Sequence, residues 1–353
     1  MTQTYSRLRA GLGALAHKPY IWGVLGIVAL LIVNVTRDPG YLQISVNPAN
    51  GYLAGNLLDI LRESAPIVMI SVGMCLVVAT SGIDLSVGSV MAVSGAVAME
   101  FLQAASAPQS TMSAAMALLL ALTVSSLLGL VNGVLVAYVR LQPFITTLIT
   151  MLAGRGLAKV ITGGQNTSAS SDGLAWIANG RVLGFPVVVI IAIALALLIG
   201  YLVRRSALGM MIEAIGINET ASRMAGIKPH GLLITVYLLS GLLAGVAGVF
   251  STATVMTVDV SNTGYLLELD AILAVVIGGT ALSGGKFSLG GAVVGALLIT
   301  TLDKTVVFLG VPSAATPAFK AVVIIVICLA QSSRVRALFR DRRGPVRMKE
   351  RVA

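Results

Sequence analysis

Charge is what this sequence has least of. Asp, Glu, Lys and Arg make up 11% of its 353 residues against 57% hydrophobic ones, and the mean hydropathy is +0.95. A soluble domain carries about a quarter charged residues, so this chain lacks the polar surface to stand in water. Cysteine is nearly absent too. Cys75 and Cys328 both lie in apolar runs, which argues against a disulfide framework or a thiolate metal site. The two histidines, His17 and His230, sit apart in polar segments beside basic residues, so neither a metal centre nor a cofactor is expected. No small-residue cleavage site marks the first apolar run, from Ile21, which reads as a retained span and not a signal peptide.

What the chain has in abundance is apolar length. Ten runs read as membrane segments: Ile21–Val35, Ala65–Ala79, Leu85–Leu102, Met112–Val139, Phe144–Ile161, Val182–Val203, Leu232–Thr254, Leu269–Leu282, Leu289–Leu309 and Phe319–Ala330. Each crossing needs about 20 residues, which the chain can supply eight to ten times over. The predicted fold is an all-α polytopic transmembrane helix bundle of about ten membrane segments. Glycine and alanine fill these runs, and small residues let helices approach closely in lipid.

Placement of the few charges sets the orientation. Arg7, Arg9 and Lys18 precede the first run, Arg204, Arg205, Arg223 and Lys228 lie between the sixth and seventh, and a basic tail follows the tenth. That tail holds eight cations, from Arg334 to Arg351, against Asp341 and Glu350. All three groups fall on one side when the span count is even, and the positive-inside rule makes that side cytoplasmic. The expected organisation is a cytoplasmic segment 1–18, a transmembrane domain 19–330 containing a cytoplasmic loop 204–230, and a cytoplasmic tail 331–353 that meets anionic membrane lipid. The tail carries no recognition motif or interleaved aromatics, so no nucleic-acid partner is expected.

Two runs look too short to span. Ala65–Ala79 gives about 22 Å of helix against a core of about 30 Å, and Leu269–Leu282 is shorter still. Each ends in a glycine-rich turn, Gly82-Ile83-Asp84-Leu85-Ser86-Val87-Gly88-Ser89 and Gly278-Gly279-Thr280-Ala281-Leu282-Ser283-Gly284-Gly285. These read as broken or re-entrant helices, since non-helical backbone at membrane depth survives only when buried in protein or lining a water-filled path. Short loops between tilted helices are the alternative. At an offset of 202 residues Gly82/Gly284, Ser86/Ser288 and Gly88/Gly290 coincide, three small-residue matches for an internal repeat.

The stretch Ala207–Ile227 in the longest cytoplasmic loop reads as a short amphipathic helix. Ile212, Ile215 and Ile217 are its apolar side, Glu213, Asn218 and Arg223 its polar one, Gly216 a sharp turn and Gly226 the stop. Such a helix suits a partner's groove, with Glu213, Ala214, Gly216, Asn218, Arg223 and Gly226 as the docking set. An interfacial helix on the headgroups is the alternative. No nucleotide loop is present. The nearest miss, at Gly284-Gly285-Lys286-Phe287, has Thr280 where glycine is required and Phe287 where magnesium needs a hydroxyl. The chain is not expected to be an enzyme.

Together these residues resemble the permease subunits of bacterial ribose-type ABC sugar importers. The resemblance runs from about Leu57 to Gln331. It is carried by the motifs Gly82–Ser89, Leu141–Gly164, Ile212–Ile227, Tyr237–Gly248 and Leu267–Leu298, and the phrase from Ile212 to Asn218 is most similar to the galactofuranose branch. Family members often carry an arginine turn where this chain has Gly285-Lys286-Phe287-Ser288. The resemblance implies a second permease copy or related permease, a cytoplasmic ATP-binding subunit on the Ala207–Ile227 loop, and a periplasmic sugar-binding protein. It implies a multi-pass protein of the bacterial inner membrane that translocates a monosaccharide such as galactofuranose or a ribose-like sugar.

Single residues carry competing expectations. Asp84 either caps the helix after the break, the favoured reading, or accepts sugar hydroxyls. With Ser86, Asn132, Thr147 and Arg155 it forms the candidate substrate pathway. Asn132 and Thr147 also suit interhelical contacts, and Arg155 and Lys159 share one helix face and suit snorkelling. Glu100 is expected to be solvated. Glu268 and Asp270 are expected at the external entrance of the eighth segment, as a docking site for the binding protein or as acids favouring a helix start. The reading from another class is an ion-coupled secondary carrier using Asp84 and Arg155 as a pair. A membrane receptor without transport is the third.

Overall fold

The computed structural model describes residues 20–46 and 52–331. The segment 1–18 and the basic tail from residue 332 lie outside the described residues. Among the described residues, eight helices are long and apolar enough to cross a membrane: α1 Tyr20–Arg37, α2 Asn56–Ala79, α3 Val87–Ala104, α4 Thr111–Ala137, α5 Pro143–Ile161, α7 Val187–Arg205, α10 Pro229–Val255 and α12 Leu289–Phe308. Two shorter apolar helices, α11 Leu267–Ile277 and α13 Thr316–Gln331, complete the ten segments. Between them lie α6 Asp172–Asn179, α8 Leu208–Ile217 and α9 Glu219–Met224. The chain is a multi-pass helical membrane protein.

The second segment corrects one expectation. Helix α2 is 24 residues long, not 15, and at 1.5 Å per residue spans about 36 Å. Its first turns carry Asp59, Arg62 and Glu63, which hid them from an apolar window. Inside the fold these charges find partners, Glu63 with Lys304 of α12 and Arg62 with Asn179 of α6. The short reading of the eighth segment stands: α11 has 11 residues, about 16 Å of helix.

Burial sorts the helices into a centre and a shell. The apolar window of α2 is 78% buried and that of α1 11%, so α2 is a central post and α1 lies at the rim. Helices α3, α10 and α12 join the centre, while α4, α5 and α7 turn wide apolar faces outward, as lipid-facing helices do. Among the described residues, three two-stranded sheets tie loops together. β1 (Ser45–Val46) pairs with β2 (Leu53–Ala54), β3 (Thr167–Ser168) with β6 (Thr257–Val258), and β4 (Arg181–Val182) with β5 (Phe185–Pro186), all antiparallel.

Small residues make the close helix contacts the composition foretold. Along α4 and α10, a methyl group added at Gly241 would lie 2.6 Å from the Ser125 carbonyl oxygen, and one at Gly129 2.5 Å from that of Tyr237. We expect Gly241→Val to force the two helices apart, at a cost of roughly 1–3 kcal/mol or more. Gly231, on the same helix, has open space around it. Thermal unfolding in detergent should therefore show a lower midpoint for Gly241→Val and little change for Gly231→Val. Equal midpoints would remove the seam from any stabilising role.

Candidate functional site

The segment between α2 and α3 turns back into the bundle. A methyl group at Gly73 would sit 2.9 Å from the Ser240 Cα of α10, and the Ser240 hydroxyl donates to Asp84 Oδ2 at 2.7 Å. Asp84 is therefore level with Gly73, well inside the end of α2 at Ala79. The break lies at membrane depth and is wrapped in protein, with Asp84 1% exposed.

Asp84 is the centre of a buried polar chain. Its Oδ1 accepts from the Ser86 backbone N–H at 3.0 Å and from the Ser86 hydroxyl at 2.5 Å. Asn132 Nδ2 donates to Ser86 Oγ at 2.9 Å, and Thr150 Oγ1 donates to Asn132 Oδ1 at 2.5 Å. Thr147 Oγ1 donates to the Ile83 carbonyl at 2.9 Å. The chain thus joins α10, the break, α4 and α5. The cap expectation changes in detail. The N-cap position of α3 is Ser86, without a side-chain cap bond, and Asp84 instead braces the turn before it. Asp84, Ser86, Asn132 and Thr147 are brought together, but as buried groups bonded to one another and to backbone.

Arg155 stands apart from that cluster. Its Nη1 donates to the Thr263 carbonyl at 2.6 Å, so the guanidinium does not snorkel outward. Asp84 and Arg155 hold different partners, which removes the geometry an ion-coupled pair needs. Glu268 and Asp270 correct a second expectation. Both stand in the first turn of α11, as acids favouring a helix start would, but they are buried, at 7% and 8% exposure, and not solvated. Glu268 lies against Gly88, where a methyl group would meet its Oε2 at 2.3 Å, and among the described residues that oxygen has no hydrogen-bond partner. Asp270 pairs with Lys320 of α13 at 3.0 Å, and Lys320 also reaches Asp303 of α12 at 2.9 Å. Half-helix α11 thus begins inside the bundle, and sequence spacing gave no sign of that depth. The loop residue Asp259 is partly exposed. The Asn262 side chain, with backbone N–H groups of Asn262 and Ser261, holds its carboxyl below the usual range. Glu100 accepts a bond from Thr167 and is only partly exposed.

At the end carrying Arg204 and Arg205, three sequence motifs meet. Ser81, in a left-handed conformation at φ 63°, donates its hydroxyl to the carbonyls of Gly216 at 2.8 Å and Ser283 at 2.9 Å. The Gly285 N–H donates to the Ala79 carbonyl at 2.9 Å. So α8 is clasped to both glycine-rich turns at once. The Ala207–Ile227 stretch is two helices and not one. The break falls at Asn218, whose side chain accepts from the Ala221 N–H and caps α9, while Gly216 lies inside α8. Ile212 and Ile215 are buried, but Ile217 is 72% exposed and faces away. Gly226, at φ 88°, ends the second helix. Burial of α8 against the core contradicts a helix floating on headgroups. Glu213 and Ala214 are half-buried, and Asn218, Arg223 and Gly226 are exposed.

Sequence reasoning missed Ser81, Thr150 and Ser240. A lone serine inside an apolar helix, opposite an acid at membrane depth, was the signal available for Ser240. The offset of 202 gains meaning here. It relates the first residue of α3, Val87, to that of α12, Leu289, and Ser288 caps α12 by accepting from the Gly291 N–H.

These features define a class: a helical membrane protein with broken helices at its centre and a docked two-helix element at its basic end, the build of a solute permease. Residues 56–330 match the family described as the permease component of the branched-chain amino acid transport system, and the chain belongs to that family. It is similar to the fructose import permease protein FruF of Bifidobacterium longum, 53% identical over 90% of this chain and 88% of the relative. It is also similar to two Escherichia coli proteins. The galactofuranose transporter permease protein YtfT is 42% identical over 91% and 93% of the two chains, and the ribose import permease protein RbsC 40% over 88% and 93%. No solved structure matches the chain.

Proposed function

We propose that the chain is the membrane-spanning subunit of an ATP-driven monosaccharide importer, set in the inner membrane with both termini cytoplasmic. The observation that carries this reading is the Ser81 clasp. One hydroxyl holds a cytoplasmic helix pair to both central turns, so movement of α8 reaches the bundle centre. An ATP-binding subunit docks on the exposed side of that pair, where Met210, Ile217, Arg223 and Met224 stand free. A periplasmic binding protein meets the opposite face, around residues 162–181. The pathway runs between two permease copies along the exposed side of α5 and the segment 263–269. Of the candidate pathway residues, Arg155 remains on it, beside the exposed Tyr265.

The substrate is a monosaccharide. Relatives that import fructose, galactofuranose and ribose support the class, and the 53% identity to the fructose permease puts fructose first in line, then galactofuranose. Uptake of each labelled sugar by proteoliposomes holding the chain, its ATPase and its binding protein tests both levels. Accumulation should require internal ATP. Accumulation driven by a proton gradient, with no ATPase present, would falsify the importer reading.

A further inference from the structure

Helices α2, α7 and α12 enclose a groove that the transport reading leaves without a role. Its volume is about 590 Å3, and Val68, Val72, Ala196, Gly200, Val293 and Leu297 form much of its wall. Ile193, Leu197 and Tyr201 along its rim are 51%, 68% and 61% exposed, so the groove opens sideways toward lipid. Glycines on two opposite helices hollow it out. A methyl group added at Gly200 or at Gly290 would meet no atom within 4 Å. One end is different in kind. Arg204 and Arg205 close it, exposed, and no carboxylate lies within ion-pair distance of either among the described residues.

An apolar trough between three helices, closed at one end by two cations that have no carboxylate partner among the described residues, Arg205 lying over the Tyr201 ring, matches a phospholipid with an anionic headgroup. We propose that it is a binding site for one anionic phospholipid of the inner leaflet. The acyl chain lies between α2, α7 and α12, and the phosphate is held by Arg204 and Arg205. Charge selects this occupant over the others at hand. A second copy packed here about a two-fold axis would bring its own Arg204 and Arg205 against these. The segment 1–19 carries Arg7, Arg9 and Lys18 and would add cations to cations, as would the basic tail. A zwitterionic lipid brings a positive group along with its phosphate. The arginines directly precede Ser206 and α8, so the lipid sits beside the helix pair that docks the ATPase.

The test uses the purified full chain, titrated separately with dioleoyl phosphatidylglycerol and dioleoyl phosphatidylcholine and read by native mass spectrometry. Wild type should retain one phosphatidylglycerol in preference to phosphatidylcholine. With each arginine near the surface supplying about 1 kcal/mol, the double variant Arg204→Gln/Arg205→Gln should lose about thirtyfold in phosphatidylglycerol affinity and little in phosphatidylcholine affinity. Gly200→Phe fills open space, improves helix propensity and should expel the lipid with both arginines intact. Equal retention of the two lipids by wild type, meaning a fluid annulus only, overturns the site. So does phosphatidylglycerol retention unchanged in either variant, or a dimer that Gly200→Phe converts to monomer, which would make a second copy the occupant. The arginine pair is exposed, so the charge arm stands even where the wall variant lowers yield.

Discussion

Gly216→Ala should uncouple this protein without unfolding it. A single added methyl at residue 216 would lie 1.8 Å from the Ala79 carbonyl oxygen and 2.5 Å from the Gly285 nitrogen. Both are backbone atoms, so no side chain can swing aside. Helix α8 must lift by more than an ångström, which breaks the bond from Ser81 to the Gly216 carbonyl and disturbs that from Gly285 to Ala79. Two hydrogen bonds at roughly 0.5–1.5 kcal/mol each, before any steric cost, correspond to a fivefold or larger loss of the docked arrangement. Gly231→Ala, where a methyl meets nothing, is the control. We expect both variants to insert and purify alike. The Gly216→Ala chain should retain at least about fivefold less ATPase in a detergent pull-down and should fail in uptake. ATPase retention and uptake equal to the control would sever α8 from coupling.

The second large effect is at Asp84. Leucine there removes the acceptor for three donors at once: the Ser86 N–H, the Ser86 hydroxyl and the Ser240 hydroxyl. All are buried, and each stranded donor costs roughly 1–3 kcal/mol. Asp84→Leu should therefore yield little folded protein and no uptake. Asp84→Asn keeps an acceptor oxygen for Ser86, and the Ser240 hydroxyl can rotate to accept from the new amide. Uptake by Asp84→Asn at matched expression should stay near wild type. If Asn fails as completely as Leu, the negative charge itself acts in transport and the bracing role is wrong. Normal uptake in both would leave Asp84 with no role in either.

The sequence was most legible where composition alone sets the physics. Every apolar run contributed a helix, because backbone without water must bond within its own segment. It was less legible where a charge finds its partner far along the chain. Arg62 and Glu63 fell outside the apolar run that begins at Ala65, and their partners Asn179 and Lys304 lie more than a hundred positions away. Glu268 and Asp270 looked solvated for the same reason: Lys320 of α13 and the first turn of α3 enclose them. The docking stretch showed its helical character but not its break. Gly216 was read as the turn because glycine turns freely, whereas it is there to let α8 touch the end of α2. The actual turn is made by Asn218, whose side chain caps α9.

Amino-acid order by itself determined that this chain is a helical membrane protein built of many apolar segments, and that its sequence holds no phosphate-loop motif. Those are local properties, read from runs of neighbours. Only the tertiary structure decided which polar residues meet. Ser240 reaches Asp84 across 156 positions, and Ser81 joins Gly216 and Ser283 across 135 and 202. The reason is geometric. A hydrogen bond needs its atoms within about 3 Å, and in a helical bundle that proximity is set by packing between helices that no spacing along the chain encodes.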